Sequence, residues 1–282
     1  MRRLIVFIAV SLGFVTSPLQ AAAPAPEASD TDVCEGCEAL LELALAHPRR
    51  AADRARDQYR HPAETLKFFR VRPGMTVVDF LPGGGWYTRI LVPYLGKEGR
   101  YIAVNPAVTP DMDEGSASFL GGLGEKFPAK AAQWDLEGAS IAAFNSDELS
   151  EAMNGTVDRV LIIREVHNLA RSGTLGDELG RMRDLLKEGG MLGIIDHRAK
   201  PSAPADYVTG SKGYMLQSDV IRLVEANGFD LVASSEVNAN PRDTADHPGG
   251  VWELPPVQST KREELKSIGE SDRMTLLFRK RP

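Results

Sequence analysis

Cysteine is scarce in this sequence, and the only two among its 282 residues are Cys34 and Cys37, in the stretch VCEGCEALLELAL. A zinc site would need two further ligands, and none lies nearby in the sequence. A thiol-exchange role is weaker, because no strand precedes the pair as it would in a thioredoxin-like unit. In an oxidising compartment such a pair is typical of a local disulfide, which is our first interpretation.

Positive charge and long apolar runs are also in short supply. There are 33 lysines and arginines against 39 acidic residues, which gives a net charge of −6 and a pI near 5.5. Nucleic-acid-binding proteins usually present a basic face, so we expect no nucleic-acid partner. Past the N-terminus no apolar run is long enough for a membrane span, and none is predicted.

The N-terminus carries the pattern of a secretory signal. Residues 4–15 form an apolar run that is too short to span a bilayer comfortably. It follows a basic Met-Arg-Arg start and precedes the small residues 21–23, which completes a three-part signal peptide. We therefore expect cleavage near Ala21, a periplasmic or secreted mature protein, and no membrane anchor after cleavage. The alternative is a buried N-terminal helix.

The remaining chain divides by composition. A Pro-rich, acidic stretch, AAAPAPEASDTD, is typical of a flexible leader, and a helix-prone region follows it. From about residue 71 strands and helices alternate. The predicted organisation is a signal peptide at 1–21, a flexible leader at 22–33, an N-terminal helical cover at 34–70, and a main domain at 71–282 with an insertion at about 238–272.

The alternation predicts an α/β fold, with a doubly wound, mostly parallel sheet. The predicted helices between strands lie at about 87–95, 116–126, 146–153, 175–186 and 216–227. The predicted strands are Thr76–Leu81, Gly99–Asn105, Ala131–Asp135, Val157–Arg164, Met191–Asp196, Phe229–Val237 and Met274–Lys280.

The stretch VVDFLPGGGWYTRIL, residues 77–91, is the main functional motif. A strand ends near Asp79, three glycines make a turn, and a helix begins at about Trp86. Glycine lets the backbone approach a ligand closely, and the helix start presents N–H groups to it. A strand, glycine turn and helix alone is a weak signal, because such turns also arise by chance. The second cue is the end of the next strand, where an acidic residue normally holds a cofactor ribose and this chain has Asn105.

Five segments together resemble the class I S-adenosylmethionine-dependent methyltransferases, and most closely an exported, methyltransferase-like group within them. They are RDQYRHPAETLKFF, VRPGMTVVDFLPGGGWYTRILVPYLG, VDRVLIIREVHNL, LKEGGMLGIIDHRA and the closing LLFRK. The resemblance covers the chain from about Asp53 onward. It implies a seven-stranded sheet whose last strand is antiparallel, with S-adenosylmethionine across the ends of the first two strands. The Asn-Pro-Pro-aromatic signature of many nucleic-acid methyltransferases is absent from the fourth strand, and with the acidic pI this makes a small molecule the expected acceptor.

The cofactor-binding residues that the resemblance implies are Asp79, Pro82, Gly83, Gly84, Gly85, Asn105 and Asp135. Asp79, Gly83 and Gly85 would lie beside the methionine end, Asn105 would face the ribose, and Asp135 would lie near the adenine. The sequence departs from the usual pattern in two places. Leu81 replaces a glycine two residues after the acidic residue, and Asn105 replaces the acidic ribose ligand.

The predicted catalytic residues follow the next two strands. The segments REVHNL and IIDHRA place His167, Asp196 and His197 at neighbouring strand ends, where ligands of doubly wound sheets bind. A histidine there could take a proton from the acceptor, and Asp196 could orient it. Two alternatives are that these side chains only cap strand ends through hydrogen bonds, or that the three hold a metal ion.

Aromatic residues near the expected cleft allow two interpretations. Tyr59 and His61 could lie over the cofactor or simply pack an N-terminal helix on the sheet edge. Likewise Trp86, Tyr87 and Trp252 could line a pocket or fill the core.

Three functional hypotheses result. The first is an exported S-adenosylmethionine-dependent methyltransferase acting on a small molecule. The second is a non-catalytic periplasmic binding protein on the same fold, favoured by Leu81, Asn105 and the export signal. The third, a dinucleotide oxidoreductase, fits the glycine turn but not the LKEGG–strand–DH arrangement.

Overall fold

A computed structural model describes residues 34–282, so the predicted signal peptide and leader lie outside the described residues. Both cysteines are disulfide-bonded, as the first interpretation of the pair predicted. Within residues 34–282, no helix combines the length and the apolar character needed to cross a bilayer. Residues Glu35–Pro282 pack into one unit.

Seven strands and nine α-helices make up the regular structure of residues 34–282. The strands are β1 (Thr76–Phe80), β2 (Arg100–Asn105), β3 (Ser140–Asn145), β4 (Val157–Ile163), β5 (Leu186–His197), β6 (Phe229–Ser235) and β7 (Arg273–Lys280). The α-helices are α1 (Cys37–Ala46), α2 (Asp57–Arg60), α3 (Pro62–Phe68), α4 (Thr88–Leu95), α5 (Glu114–Leu120), α6 (Leu123–Ala132), α7 (Val166–Ser172), α8 (Leu175–Leu185) and α9 (Gln217–Ala226).

All seven strands belong to one sheet, in the order β3-β2-β1-β4-β5-β7-β6. The first five strands along the chain pair in parallel, and β7 runs antiparallel between β5 and β6. This is the mostly parallel, doubly wound sheet that the sequence predicts, with the antiparallel last strand that the resemblance implies. The strand order reverses between β1 and β4, which is where ligands bind in open α/β sheets.

Burial explains why the central strands are apolar throughout. All five residues of β1 are buried, because helices cover both faces of a parallel sheet. On one face α1, α3 and α4 pack together with α6, which gives the N-terminal helices the covering position that the sequence predicts. On the other face α7, α8 and α9 build a second core around residues such as Leu179 and Val224.

The third strand is the main error of the sequence-based prediction. Residues 131–135 do not form a strand: Ala131 lies in the last turn of α6, buried one helical turn after Phe127. The strand is instead Ser140–Asn145, which pairs in parallel with β2. Short apolar runs fit either periodicity, and the segment AAQWD is compatible with a helix end as well as a strand.

Two predicted helices are also divided. The helix expected at 116–126 is two helices, α5 and α6, separated at Gly122, whose φ of 69° ends the helical path. The helix expected at 146–153 is two short 3₁₀ helices, Ser146–Glu148 and Glu151–Met153. Within the segment 238–272, 3₁₀ helices at Gly250–Glu253 and Glu263–Ile268 lie among buried polar residues that include Asp243.

Candidate active site

A cavity of about 950 Å³ opens outside the C-terminal ends of β1, β2 and β4. Within residues 34–282, the residues that line the cavity lie between Asp53 and Thr174 in the sequence. The glycine loop forms one wall, the segment after β2 a second, and the residues after β4 a third. A volume of this size falls in the range of small-molecule and cofactor sites.

The glycine loop contributes Leu81, Pro82, Gly83 and Gly84 to the cavity. Gly83 has a φ of 54° and Leu81 a φ of 57°, which is the left-handed region. This conformation costs a leucine about 1 kcal/mol and is one that glycine adopts without that cost. A Cβ on Gly84 would meet no atom within 4 Å, so the loop leaves open space over its backbone.

Gly85 serves packing and does not line the cavity. It is buried with a φ of 76°, and a Cβ there would overlap the indole ring of Trp134. Trp134 in turn packs edge-on against Phe127 of α6. The third glycine of the motif is therefore required by the core on this side of the sheet, and its implied place beside the cofactor is not supported by the cavity lining.

Asp79 lies at the base of the cavity, on β1, with 2% of its surface exposed. The hydroxyl of Tyr101 on β2 donates to its Oδ2 at 2.8 Å, and that hydroxyl also contacts Thr88 Oγ1 at 2.8 Å. Burial raises the pKa of Asp79 to about 7, and the hydrogen bond from Tyr101 offsets only part of that rise. A cationic group in the cavity would therefore meet a carboxyl that ionises near neutral pH.

The β2 wall differs from the expectation for Asn105. Asn105 is buried and donates from Nδ2 to the carbonyl of Leu120 at 2.8 Å, so it ties the following segment down and is not part of the described lining. The acidic groups at this wall are Asp111 and Asp113. A hydrogen bond from Thr109 lowers the pKa of Asp111, which is exposed and ionised at neutral pH.

Asp135, expected near an adenine, lies elsewhere. It follows α6 with a φ of 47°, and its exposed carboxylate pairs with Arg49 Nη2 at 2.6 Å. The apolar side chains that flank the β2 wall are instead Met112 and Phe119, and Phe119 is 68% exposed. The prediction for Asp135 depended on a strand ending there, whereas β3 ends at Asn145.

The wall after β4 carries a half-buried carboxyl group, Glu165. Glu165 comes just after the strand, lines the cavity, and accepts a hydrogen bond from Asn168 Nδ2 at 2.8 Å. Burial raises the pKa of Glu165, although Asn168 and the nearby positive charges of His167 and Arg164 counter the rise. A carboxylate with a raised pKa is a stronger base than an exposed one, which suits general base catalysis.

The three predicted catalytic residues come together but lie behind this wall. His167, Asp196 and His197 are 2%, 0% and 7% exposed, and none belongs to the described lining. Asp196 accepts from the His167 backbone N–H at 2.8 Å and contacts its ring Nδ1 at 2.8 Å. It also accepts from the His197 backbone N–H at 3.0 Å. This network fixes the start of α7 to the end of β5, which is the capping alternative raised from the sequence.

The two histidines have opposite pKa shifts. Burial lowers the pKa of His167, but the charge of Asp196, its hydrogen bond and the charge of Glu165 together outweigh burial, and the net shift is upward. Burial and the neighbouring positive charge of His167 hold the pKa of His197 well below its usual value. A metal is the other alternative, since ligand atoms of the three residues lie within 4.8 Å of one another. Both oxygens of Asp196 are already engaged, however, and His197 Nδ1 contacts Ser271 Oγ at 2.5 Å.

An N-terminal segment packs against the glycine loop and the start of α4 at one side of the cavity. Asp53 accepts two hydrogen bonds from Arg89, at 2.6 and 2.7 Å, and its carbonyl accepts from Trp86 Nε1 at 3.2 Å. Trp86 and Tyr87 are both buried and both line the cavity. These two residues therefore fill the core and also form part of a pocket, the two interpretations that the sequence left open. Tyr59 packs against Gly269 instead of the cavity.

Comparison with solved structures identifies the architecture. A SAM-dependent methyltransferase from Aquifex aeolicus superposes with a TM-score of 0.52 at 16% sequence identity, over 86% of this chain and 97% of that one. The fold is that of the class I methyltransferases. A second similar structure is the 1,6-didemethyltoxoflavin-N1-methyltransferase of Burkholderia thailandensis, solved with 1,6-didemethyltoxoflavin and S-adenosylhomocysteine. It is 16% identical over 92% of this chain and 94% of that one, with a TM-score of 0.48. No protein-family model and no curated protein matches the sequence.

Several lining residues carry little signal in the sequence. Glu165 stands two residues before His167, and the end of β4 is the signal that could have indicated it. Asp111 and Asp113 lie in an irregular segment after β2, where no periodicity marks them. Arg56, Arg60 and Arg164 carry no shared motif, and Arg164 lies far from the other two along the chain.

Proposed function

We propose that this protein is an exported S-adenosylmethionine-dependent methyltransferase that acts on a small-molecule acceptor. The observation that carries the proposal is one cavity lined both by the glycine loop and by Glu165. On the class I methyltransferase fold, this arrangement brings a cofactor loop and a proton acceptor to the same space. The acidic pI favours a small acceptor over nucleic acid, and the N-terminal signal pattern favours export.

The lining residues offer partners for each part of the cofactor. The open backbone of Gly83 and Gly84 and the buried Asp79 suit the methionine end, with its ammonium group. The carboxylate of Asp111 suits a ribose diol, because an ionised carboxylate is a hydrogen-bond acceptor only. Met112 and Phe119 provide apolar surface for an adenine. The donor set therefore fits S-adenosylmethionine, although the acidic ribose ligand comes from a different position than Asn105.

Glu165 is the group we assign to proton removal. S-adenosylmethionine, when bound, would supply an electrophilic methyl group for transfer to a heteroatom of the acceptor. The proton lost by the acceptor passes to a carboxylate oxygen of Glu165. Asn168 donates to that carboxylate and fixes its orientation. Trp86 and Tyr87 line the same cavity, and positioning of the reactants supplies most of the remaining rate.

Binding to the cofactor and its product tests the proposal directly. We expect S-adenosylhomocysteine to bind the mature wild-type protein in isothermal titration calorimetry and to raise its melting temperature. Gly84→Leu should abolish this binding, because its side chain projects from the glycine loop that lines the cavity. Gly180→Leu is the matched control, since Gly180 lies on α8 outside the described lining and a Cβ there also meets nothing within 4 Å. Absence of wild-type binding to both S-adenosylmethionine and S-adenosylhomocysteine would contradict the proposal.

A second candidate is a periplasmic binding protein that retains the fold without the chemistry. Leu81 favours it, because a side chain lines the cavity where the family normally has glycine. Mass spectrometry of small molecules released from the protein, purified from its native compartment, separates the two candidates. Recovery of S-adenosylhomocysteine favours the enzyme, and recovery of an unrelated metabolite favours the binding protein.

Export has its own test, independent of the ligand. We expect the protein expressed in a bacterial host to appear in the periplasm with an N-terminus near residue 22, as measured by N-terminal sequencing. The bonded state of Cys34 and Cys37 agrees with an oxidising compartment. A full-length chain that stays in the cytoplasm would contradict this part of the proposal.

A further inference from the structure

Four arginines gather at the side of the cavity that follows β4. Arg56 and Arg60 come from the N-terminal segment, Arg164 follows β4, and Arg273 begins β7. Arg56, Arg60 and Arg164 line the cavity, and Arg273 lies buried behind them with 3% of its surface exposed. We refer to these four residues as the arginine cluster.

One carboxylate, Glu270, accepts hydrogen bonds from three members of the arginine cluster. Its Oε1 accepts from Arg56 Nε at 2.6 Å, and its Oε2 accepts from Arg60 Nε at 3.4 Å and from Arg273 Nη1 at 3.1 Å. These three positive charges hold the pKa of Glu270 at about 2 in spite of its burial. Glu270 is therefore ionised at every physiological pH, but one negative charge faces four positive charges.

Several hydrogen-bond donors of the arginine cluster also lack an acceptor. Within residues 34–282, four buried nitrogens of the cluster have no hydrogen-bond partner: Arg56 Nη2, Arg60 Nη2, Arg164 Nε and Arg273 Nε. Buried polar groups are nearly always satisfied, and an unpaired buried charge is costly. Arg60 is only 3% exposed, and its pKa is lowered to about 9 by burial first and then by the charge of Arg164, although the charge of Glu270 opposes the shift.

The other groups at this wall do not neutralise the cluster. Tyr87 lies close by, and burial raises the pKa of its hydroxyl to about 12, so it stays neutral. Glu165 follows Arg164 in the chain and interacts with its positive charge, but the hydrogen bond described for its carboxylate comes from Asn168, so the Arg164 nitrogen stays without a partner. The ring of Trp86 lies 4.6 Å from the Arg60 guanidinium carbon, which stabilises that cation without removing its charge.

We infer that the β4 side of the cavity binds an oxyanion, a carboxylate or a phosphate group, which the methyl acceptor carries. The assignment to the acceptor depends on the proposed function. Arginine presents several N–H groups in a planar fork that matches the oxygens of either group. An oxyanion there would satisfy unpartnered donors of the three lining arginines and compensate the excess charge in one step.

Topology favours the acceptor as the source of the anion. The glycine loop follows β1, and Asp111 and Asp113 lie on the β2 side of that strand. Arg164 follows β4, on the other side of β1, and Arg273 belongs to β7, two strands beyond β4. The cofactor has a carboxylate of its own, which is the other source of the same chemistry. The phosphate titration in the presence of S-adenosylhomocysteine separates these two sources.

The test uses inorganic phosphate as the probe and the whole mature protein as the sample. Arg164→Gln is the informative variant, because the buried Nε of Arg164 has no hydrogen-bond partner within residues 34–282, so the substitution breaks no hydrogen bond of that atom. Arg222→Gln is the matched control, since Arg222 lies on α9 and its side chain is 74% exposed. Phosphate is titrated against chloride at constant ionic strength, with melting temperature and calorimetric affinity as readouts.

We expect phosphate to stabilise the wild type and Arg222→Gln alike, and to bind Arg164→Gln at least about 10-fold more weakly, since charge-assisted hydrogen bonds are among the stronger ones. Equal phosphate affinity in all three proteins, or none in the wild type, would overturn the inference. The titration is repeated with saturating S-adenosylhomocysteine. Retained phosphate binding supports an acceptor site, whereas competition assigns the arginines to the cofactor carboxylate and overturns it. If S-adenosylhomocysteine does not bind at all, the proposed function fails while the phosphate comparison still decides whether the anion site exists.

Discussion

Replacing Asp79 with asparagine is expected to make folding less sensitive to rising pH. Asp79 is buried on β1, and burial raises its pKa from 3.8 to about 7. The folded protein therefore keeps this carboxyl protonated, while the unfolded chain ionises it near its ordinary pKa. Stability from this group is fully present below the unfolded pKa and is lost as the pH rises through about 7.

The size of the effect follows from the two pKa values. Within the window between them, each pH unit lowers the free energy of unfolding by about 1.4 kcal/mol. Between about pH 5 and about pH 8 the wild type should lose about 3 kcal/mol through Asp79, because the loss stops once the folded-state carboxyl has ionised. Asparagine does not titrate, and its Oδ1 can still accept the hydrogen bond from Tyr101.

Urea denaturation of both proteins at the two pH values measures the difference. The stability of Asp79→Asn relative to the wild type should rise by about 3 kcal/mol between about pH 5 and about pH 8. Asp184→Asn, at an exposed position on α8, controls for the removal of one carboxylate. A difference between Asp79→Asn and the wild type that stays constant with pH would refute the argument that burial keeps Asp79 protonated.

Three further substitutions test the site and its supports. Asp196→Asn should lower the free energy of unfolding by about 3 kcal/mol, because it breaks a buried charged network, and should leave S-adenosylhomocysteine affinity unchanged; normal stability with lost turnover would instead indicate a catalytic role. Gly85→Ala should cost at least about 2 kcal/mol and several degrees of melting temperature, since its Cβ overlaps Trp134; an unchanged melting temperature would contradict this. Glu165→Gln should slow methyl transfer about 100-fold with unchanged S-adenosylhomocysteine binding in calorimetry; an undiminished rate would remove Glu165 from proton transfer.

The sheet could be predicted from the sequence wherever a strand is apolar and bounded by turn residues. β1 and β4 are mostly buried, and their near-continuous apolar runs are a clear signal. β3 is only partly buried and follows two helices broken by glycine, so its segment SIAAFN has no distinctive period. Because the sequence predicts a strand at Ala131–Asp135, Asp135 is expected at the end of that strand, near the cofactor.

The site was harder to predict because its chemistry depends on which of the side chains after a strand point into the cavity. His167 and Glu165 are close together after β4, yet the histidine is buried against Asp196 and the glutamate lines the cavity. Histidine is the commoner proton acceptor in enzymes, and this general preference favoured the wrong neighbour for contact with the cavity. Arg60 and Glu270 meet across 210 positions of the chain, a contact that no local pattern encodes.

The walls of the cavity separate opposite charges across β1. Carboxylates of Asp111 and Asp113 stand on the β2 side, and the arginine cluster stands on the β4 side. A molecule with a cationic end and an anionic end would therefore be oriented by these charges before it contacts either wall, with its cationic end toward the β2 side and its anionic end toward the β4 side. Such pre-orientation reduces the number of unproductive encounters and weakens as salt shortens the reach of the field. The charges on the two walls thus favour one orientation of such a ligand over the reverse one.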